Sequence, residues 1–292
     1  MLTNNYNTPS IMLDVLEDDV RHDVGSSDYS ATSLVLPPRL LQLKKRYGHQ
    51  IIDDARDRWH LFLGSALHEY IEKKLKRKPD KYIVEHKITE FVNDRKVVAI
   101  PDAYELDTKT VYDHKSCTQW QWNSEHKLEY EQQLNINAWF LRQCGYHPER
   151  GALTMLTKDW TVSALHRMGP EAYPPNPMWV QDIPIWSEQE QEDFINARLD
   201  LHKECEEMSD EELPLCTDED MWAQNTKWAV MAPGVYKAKK LAGSEQEAKE
   251  WIANSRLAKP NWYIEKRPGR RTRCEDYCPV KRFCSQYKEM SA

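Results

Sequence analysis

Apolar positions recur along this chain with two periods, and each period predicts its own elements. Over residues 53–78, Leu61, Leu63, Leu67, Ile71 and Leu75 return at helical spacing, which predicts a long amphipathic helix. Leu128, Leu134, Ile136, Trp139, Phe140 and Leu141 do the same over residues 127–145, and Gly145 supplies a stop. Between the two helices the pattern alternates. Residues 82–91, 95–104 and 110–117 read as strands and predict a three-stranded antiparallel meander. Its last hairpin runs from Val97-Val98-Ala99-Ile100 through a polar turn at Asp107-Thr108-Lys109 and returns at Val111-Tyr112. Residues 151–156 and 160–166 are two further strand candidates. The order helix, three strands, helix, strand, strand predicts an α/β or α+β core.

The flanks are less regular. Residues 1–28 show little periodicity and are expected to form a mobile or loosely docked arm, with at most a short helix over 12–20. Ser30-Ala31-Thr32-Ser33 supplies capping residues for a helix through Leu40, Leu41 and Leu43 to Tyr47, with Pro37 and Pro38 in its first turn. Five prolines over 170–184 predict an irregular connection. Residues 188–208 form an acidic amphipathic helix whose charge is a solvated face. Further on, 235–241 is short and basic, 244–256 is a helix capped by Ser244, and 263–287 is basic with three cysteines. The expected organisation is an arm (1–28), a core (29–187), the acidic helix (188–212) and an accessory lobe (213–292).

Charge changes this picture only through its distribution. The formal net charge is −7, yet residues 188–220 hold 14 acidic side chains against Arg198 and Lys203 alone. The remaining 38 basic and 33 acidic residues leave a balance of +5, which permits a phosphate-binding face. No apolar run approaches a membrane span and none follows the N-terminus as in a secretory signal, so a soluble, cytoplasmic protein with no membrane partner is expected. Seven cysteines, odd in number and unevenly spread, do not form a disulfide framework, and metal binding is the expectation for an intracellular chain.

Candidate chemistry gathers on residues 100–115. Asp113 and Lys115 are two apart and leave the same face of a strand, with Asp102 near the end of its neighbour. Two carboxylates and a lysine across adjacent strands suit a hard divalent cation beside a phosphate, whereas the bland alternative is a surface hairpin with solvated charges. On the preceding helix His68 and Glu72 share a face, and Gly64 and Ala66 leave room for close approach. A lone helical histidine is more often a hydrogen-bonded structural residue than a ligand. Trp120 and Trp122 are either core residues or platforms for unpaired bases. The spacing Cys274-x₃-Cys278-x₅-Cys284 is a metal signal that wants a fourth ligand, for which Cys216 is the candidate. Cys117, Cys144 and Cys205 are expected to be packing residues, and Glu105 and Asp107 strand-surface and turn residues.

Taken together these residues resemble the PD-(D/E)XK nuclease superfamily, in the RecB-like branch that includes phage exonucleases and CRISPR-associated nucleases. Gly64-x-x-x-His68-x-x-Ile71-Glu72 is similar to its first helical motif. Pro101-Asp102, ten residues, then Asp113-His114-Lys115 matches its signature, and Tyr130-x-x-Gln133-Leu134 is similar to its following helix. The resemblance covers roughly residues 30–145 and 213–287. It implies a restriction-endonuclease-like α/β core, a central mixed sheet flanked by helices, with a cysteine-cluster C-terminal lobe. It further implies catalysis by Asp102, Asp113 and Lys115, and Mg²⁺ or Mn²⁺ held by His68, Asp102, Asp113 and the His114 carbonyl. Gln133 and Tyr130 would contact DNA. Cys216, Cys274, Cys278 and Cys284 would hold a [4Fe-4S] cluster, with Zn²⁺ the alternative. The implied activity is a metal-dependent deoxyribonuclease, an exonuclease of phage-type recombination, replication or DNA degradation, acting with DNA and a recombination or replication protein in the cytoplasm, the host's if phage-encoded. The alternative is a non-catalytic DNA-binding or replication scaffold of the same fold. The chain departs from the pattern at Asn137, where a tyrosine is common, at Pro101, where a glycine-containing turn is common, and at Pro37, where some relatives carry a first cluster cysteine.

Overall fold

The computed structural model describes residues 2–17 and 26–291. In chain order the strands are β1 (Leu2–Thr3), β2 (Tyr29–Ser30), β3 (Asp53–Asp54), β4 (Tyr82–Val84), β5 (Ile88–Val92), β6 (Arg95–Ala99), β7 (Ala103–Glu105), β8 (Thr110–Cys117), β9 (Arg150–Thr157), β10 (Met178–Ile183), β11 (Lys227–Met231), β12 (Lys240–Ala242) and β13 (Tyr263–Arg267). The helices are α1 (Ser10–Glu17), α2 (Ala31–Leu34), α3 (Pro38–Tyr47), α4 (Trp59–Leu75), α5 (Leu128–Gln143), α6 (Val162–Met168), α7 (Glu188–Glu204), α8 (Glu245–Asn254) and α9 (Ser285–Ser291). The chain divides into two compact units, one of residues 1–36 and 50–207, the other of 37–49 and 208–292. These differ from the expected segments: the acidic helix α7 belongs to the first unit, and residues 37–49 to the second.

The first unit is built on a mixed five-stranded sheet in the order β10-β9-β8-β7-β4, in which only β8 and β9 run parallel. The central mixed sheet flanked by helices is therefore present as expected. Strand β8 is paired with β9 over all eight residues, from Thr110↔Arg150 to Cys117↔Thr157. Helices α4 and α5 both pack on it. The core of this unit is continuous through Val111, Leu134, Ile136, Phe140, Leu141 and Leu153, all fully buried.

The expected meander is not one sheet. Strands β5 and β6 form a hairpin in a separate three-stranded sheet with β2, whereas β7 and β8 belong to the central sheet. Two local causes divide them. Asn93 and Asp94, both at positive φ (48° and 60°), make the two-residue turn that closes β5 on β6. After β6 the chain meets Ile100-Pro101-Asp102, where Pro101 offers no amide to a ladder, and re-enters as β7.

Four other expectations are corrected. The helix expected to open at Pro37-Pro38 and run to Tyr47 is α3, but Ser30-Ala31-Thr32-Ser33 does not cap it: Ser30 caps the separate one-turn α2 through a capping box with Ser33. Residues 160–166 do not form a strand; the Thr161 side chain accepts from Ala164 N and opens α6, which ends at Gly169 with φ +79°. The proline-rich 170–184 contains β10, because its prolines fall outside residues 178–183 and leave every amide free to pair with β9. The long helix over 53–78 is shorter, since β3 and a 3-10 turn at Ala55–Arg58 precede α4. No α4 residue is fully buried, and Leu61, expected on its apolar face, is 56% exposed. The expected helix over 12–20 is observed as α1; residues 18–20 lie outside the described residues.

The second unit contains α3, an antiparallel sheet in the order β12-β11-β13 covered by α8, and the cysteine-bearing tail. Arg39 is 1% exposed and donates to the carbonyls of Leu213 and Pro214 and to Ser285 Oγ, tying α3 to the tail.

Candidate active site

Three elements of the first unit converge on a cleft of about 290 Å³ lined by Ser30, Ala31, Thr32, His68, Val98, Ile100, Asp102, Asp113, Lys115 and Gln133. Strand β8 contributes Asp113 and Lys115, which share a face by the period of two. Asp102 comes from the crossing between β6 and β7. Helix α4 brings His68 and α5 brings Gln133. Five residues named from the sequence thus line one cavity.

Their geometry is tightly interlocked. Lys115 Nζ donates to Asp113 Oδ1 at 2.9 Å and stands 2.7 Å from Oδ2. It also lies 5.0 Å from the centroid of the Tyr130 ring, a cation–π contact that holds the ammonium in place. Asp102 Oδ2 accepts the His114 amide at 2.6 Å, while Oδ1 lies 3.4 Å from His68 Nδ1. His68 Nε2 in turn meets the His114 carbonyl at 2.8 Å. The His114 contribution is therefore its backbone carbonyl. Its imidazole is buried, with neither ring nitrogen hydrogen-bonded among the described residues, and burial pushes its pKa down.

Glu85 was not anticipated. It follows β4 at positive φ (48°), and its backbone amide donates to the Asp102 carbonyl. His68, Glu85 and Asp102 each offer a ligand atom within 4.8 Å of the others. No motif spacing reaches Glu85, and the strand expected over 82–91 runs through it, whereas the structure ends β4 at Val84. Glu72, which shares a helical face with His68, instead pairs with Lys76 at 2.5 Å.

The electrostatics fit a cation. Burial pushes Asp113 up to about 6, against the opposing pull of Lys115. Burial, then the charges of Asp102 and Glu72, push Glu85 up to about 7. Burial would raise Asp102 as well, but the hydrogen bond and charge of His68 outweigh it and hold its carboxyl below the usual range. Both carboxyls hold their protons to a higher pH than free carboxyls do, and a divalent ion beside them would favour their ionised forms. His68, Glu85 and Asp102, two carboxylates and one imidazole, are a donor set that fits a divalent ion, whereas Asp113 lines the same cleft outside that group and is paired with Lys115.

A pH dependence follows. Glu85 and Asp113 must lose protons for the ion to bind, so affinity for Mn²⁺ is expected to rise by roughly a hundredfold in all between about pH 5.5 and about pH 8, levelling off above about 7. Calorimetric titration at the two values measures it, and equal affinities would show that neither carboxyl is a ligand. Without metal the sign reverses. Both folded pKa values lie above the unfolded ones, so these groups favour the fold fully below about pH 4, and that contribution is lost as pH rises through about 6 and 7.

Nearby residues divide between expectation and correction. Glu105 is not on the strand surface but 7% exposed, held by Lys81, Thr108 and Tyr112; the Thr108 and Lys81 hydrogen bonds lower it to about 2. Trp122 packs edge-on against Trp179 with centroids 5.1 Å apart, while Trp120 is 75% exposed. Cys117 and Cys205 are buried, but Cys144 is exposed because it follows the last turn of α5.

The second unit holds a separate constellation. Cys216, Cys274, Cys278 and Cys284 line one small cavity of about 20 Å³ with Arg39, Val280 and Lys281 among its other walls. Gln286 anchors Cys216 at both backbone atoms, accepting from its amide at 2.9 Å and donating to its carbonyl at 2.8 Å. Burial, then the charge of Asp220 and the neighbouring thiols, push Cys216 up to about 12, and burial and the thiols of Cys278 and Cys284 push Cys274 up to about 11. Four thiols around one cavity are a donor set suited to a metal or cluster, which would stabilise the thiolates together.

With both sites described, the chain can be set beside known proteins. No family model matches it, and no curated protein does. Solved structures do. The crystal structure of SSO0001 is 18% identical over 65% of this chain and 84% of its own, with a TM-score of 0.45. An alkaline exonuclease from Laribacter hongkongensis is 15% identical over 61% of this chain and 89% of its own, with a TM-score of 0.37. A phage-related exonuclease from Haemophilus somnus is 12% identical over 50% and 70%, with a TM-score of 0.33. The chain is similar to exonucleases of known structure. At these scores the likeness adds nothing to the reading of the cleft, which stands on its own residues. Among the described residues no helix is long and apolar enough to cross a membrane.

Proposed function

We propose that the protein is a metal-dependent deoxyribonuclease, an exonuclease of phage-type recombination, replication or DNA degradation. The observation that carries the nuclease reading is the meeting of Asp102, Asp113, Lys115 and His68 in one cleft. The exonuclease assignment rests on the resemblance of the motifs. Mg²⁺ or Mn²⁺ held there would supply Lewis-acid stabilisation of the phosphate charge and lower the pKa of a bound water. The chain's own groups do the rest. Lys115, held as an ammonium between the Asp113 carboxylate and the Tyr130 ring, donates to and orients the attacking water and offsets charge as the phosphorus centre becomes crowded. Gln133, on the cleft wall, donates to a phosphate or sugar oxygen and sets register. Within this reading the four cysteines hold a [4Fe-4S] cluster or Zn²⁺ that fastens the tail of the second unit, and a recombination or replication protein is the partner.

The test is digestion of linear and closed circular DNA with Mn²⁺, with Mg²⁺ and with EDTA. Cleavage that requires the metal and spares the circle supports an exonuclease. Cutting of the circle keeps the nuclease and overturns the exonuclease. No cleavage by folded protein with its cysteine site loaded overturns the enzyme and leaves a binding scaffold.

A further inference from the structure

Residues 227–273 of the second unit depart in charge from the rest of the molecule. They hold 12 lysines and arginines against four carboxylates, a local charge of +8, while the remainder of the chain carries −15. The segment has its own core, in which Val230, Ala242 and Ala248 are buried and Trp228, Trp251, Ile252, Trp262 and Ile264 pack around them. In sequence it lies between Cys216 and Cys274, two of the residues that line the cysteine cavity.

Its most exposed feature is the loop between β11 and β12. Gly234 takes a positive φ of 73° there, and Tyr236 stands 99% exposed, the highest value among the large apolar side chains. Lys237 and Lys239 follow it. Both are exposed, and neither pairs with a carboxylate among the described residues. Lys240, by contrast, reaches Glu247 on α8 at 3.4 Å. An aromatic ring presented fully to solvent and followed by two lysines with no carboxylate partner among the described residues has no role in holding this fold. It does match a polyanion whose bases are free to stack.

We propose that this loop is a contact site for single-stranded DNA, with Tyr236 stacking on a base and Lys237 and Lys239 meeting the adjoining phosphates. The strongly negative remainder of the chain repels a polyanion, so a basic module with an aromatic tip concentrates it at one place. The choice of DNA as occupant rests on the nuclease reading of the cleft; the contact itself does not.

Binding is therefore read without catalysis, by fluorescence anisotropy of a labelled single-stranded oligonucleotide with the full chain in EDTA. The Tyr236→Ala variant is expected to bind roughly fivefold to a hundredfold more weakly, the range for loss of one stacked base. The Lys237→Gln/Lys239→Gln variant is expected to flatten the slope of log affinity against log salt by about 1.4, two phosphate contacts on a single strand. Neither substitution touches the core, and unchanged melting and metal content would confirm that both variants fold. Wild-type affinity and salt slope in both variants would overturn the proposal, as would tighter binding of RNA of the same sequence. Because cleavage is not read, a protein that binds here without cutting DNA overturns only the nuclease. One that cuts DNA with a silent loop overturns only this site.

Discussion

Replacing Lys115 by alanine is expected to cut DNA hydrolysis by about two to three orders of magnitude, the range for loss of one preorganised donor to developing charge, while metal binding persists. The reason is specific to this cleft. Lys115 lies within 3 Å of both Asp113 oxygens, the position of a counter-cation to a carboxylate only 4% exposed. Removing the ammonium takes a competing positive charge away from that carboxylate, so Mn²⁺ affinity above about pH 7 should hold or rise. Loss of turnover with retained metal separates Lys115 from the ligands around it. Near-normal cleavage by this variant would remove the proposed mechanism, and lost metal would make Lys115 a scaffold residue. The metal titration and the cleavage rate must be measured on the same preparation.

The second large effect concerns stability. Replacing Cys278 by serine is expected to abolish metal or cluster loading and to lower the melting temperature by about 10 °C or more. A structural zinc site contributes roughly 10–16 kcal/mol of binding free energy at neutral pH, and losing a third of that shifts a chain of this size by about that much. The wild-type protein purified without oxygen decides between the two groups: broad visible absorbance marks iron–sulfur, and a colourless protein with one equivalent of zinc marks the ion. A melting temperature unchanged by the substitution, from protein shown to contain neither, would make these four thiols ordinary packing residues.

The residues of the cleft were legible to different depths. Asp113 and Lys115 were visible because a strand's period of two puts both on one face, and that holds wherever the strand is placed. His68 and Gln133 stood out by helical spacing within motifs. Glu85 left no such trace, because it reaches the cleft through the antiparallel pairing of β4 with β7, a contact between distant segments. The fold shows the same division. Helices with strong local punctuation, α5 ending at Gly145 and α8 opening at Ser244, were readable from a few residues. The assignment of β5–β6 and β7–β8 to different sheets was not, because both hairpins alternate alike and only Pro101 marks the change of partner. Residues 160–166 failed for a related reason: over so short a run, alternation and one helical turn look the same, and the Thr161 cap decides.

Asp102 is the place where scaffold and chemistry are hardest to separate. Strand β7 leaves β8 after the pair Ala103↔Tyr112, and the His114 amide beyond it is met by the Asp102 side chain. One carboxylate oxygen thus stands in for a missing backbone carbonyl and extends the ladder by one rung, leaving only the other to face His68. An Asp102→Asn substitution can keep that rung through its amide oxygen while surrendering the charge. Asp102→Ala loses both, and frays the strand that carries Asp113 and Lys115. Inactivity in the alanine variant alone would therefore be ambiguous between a broken edge and a lost ligand; the asparagine variant isolates the ligand.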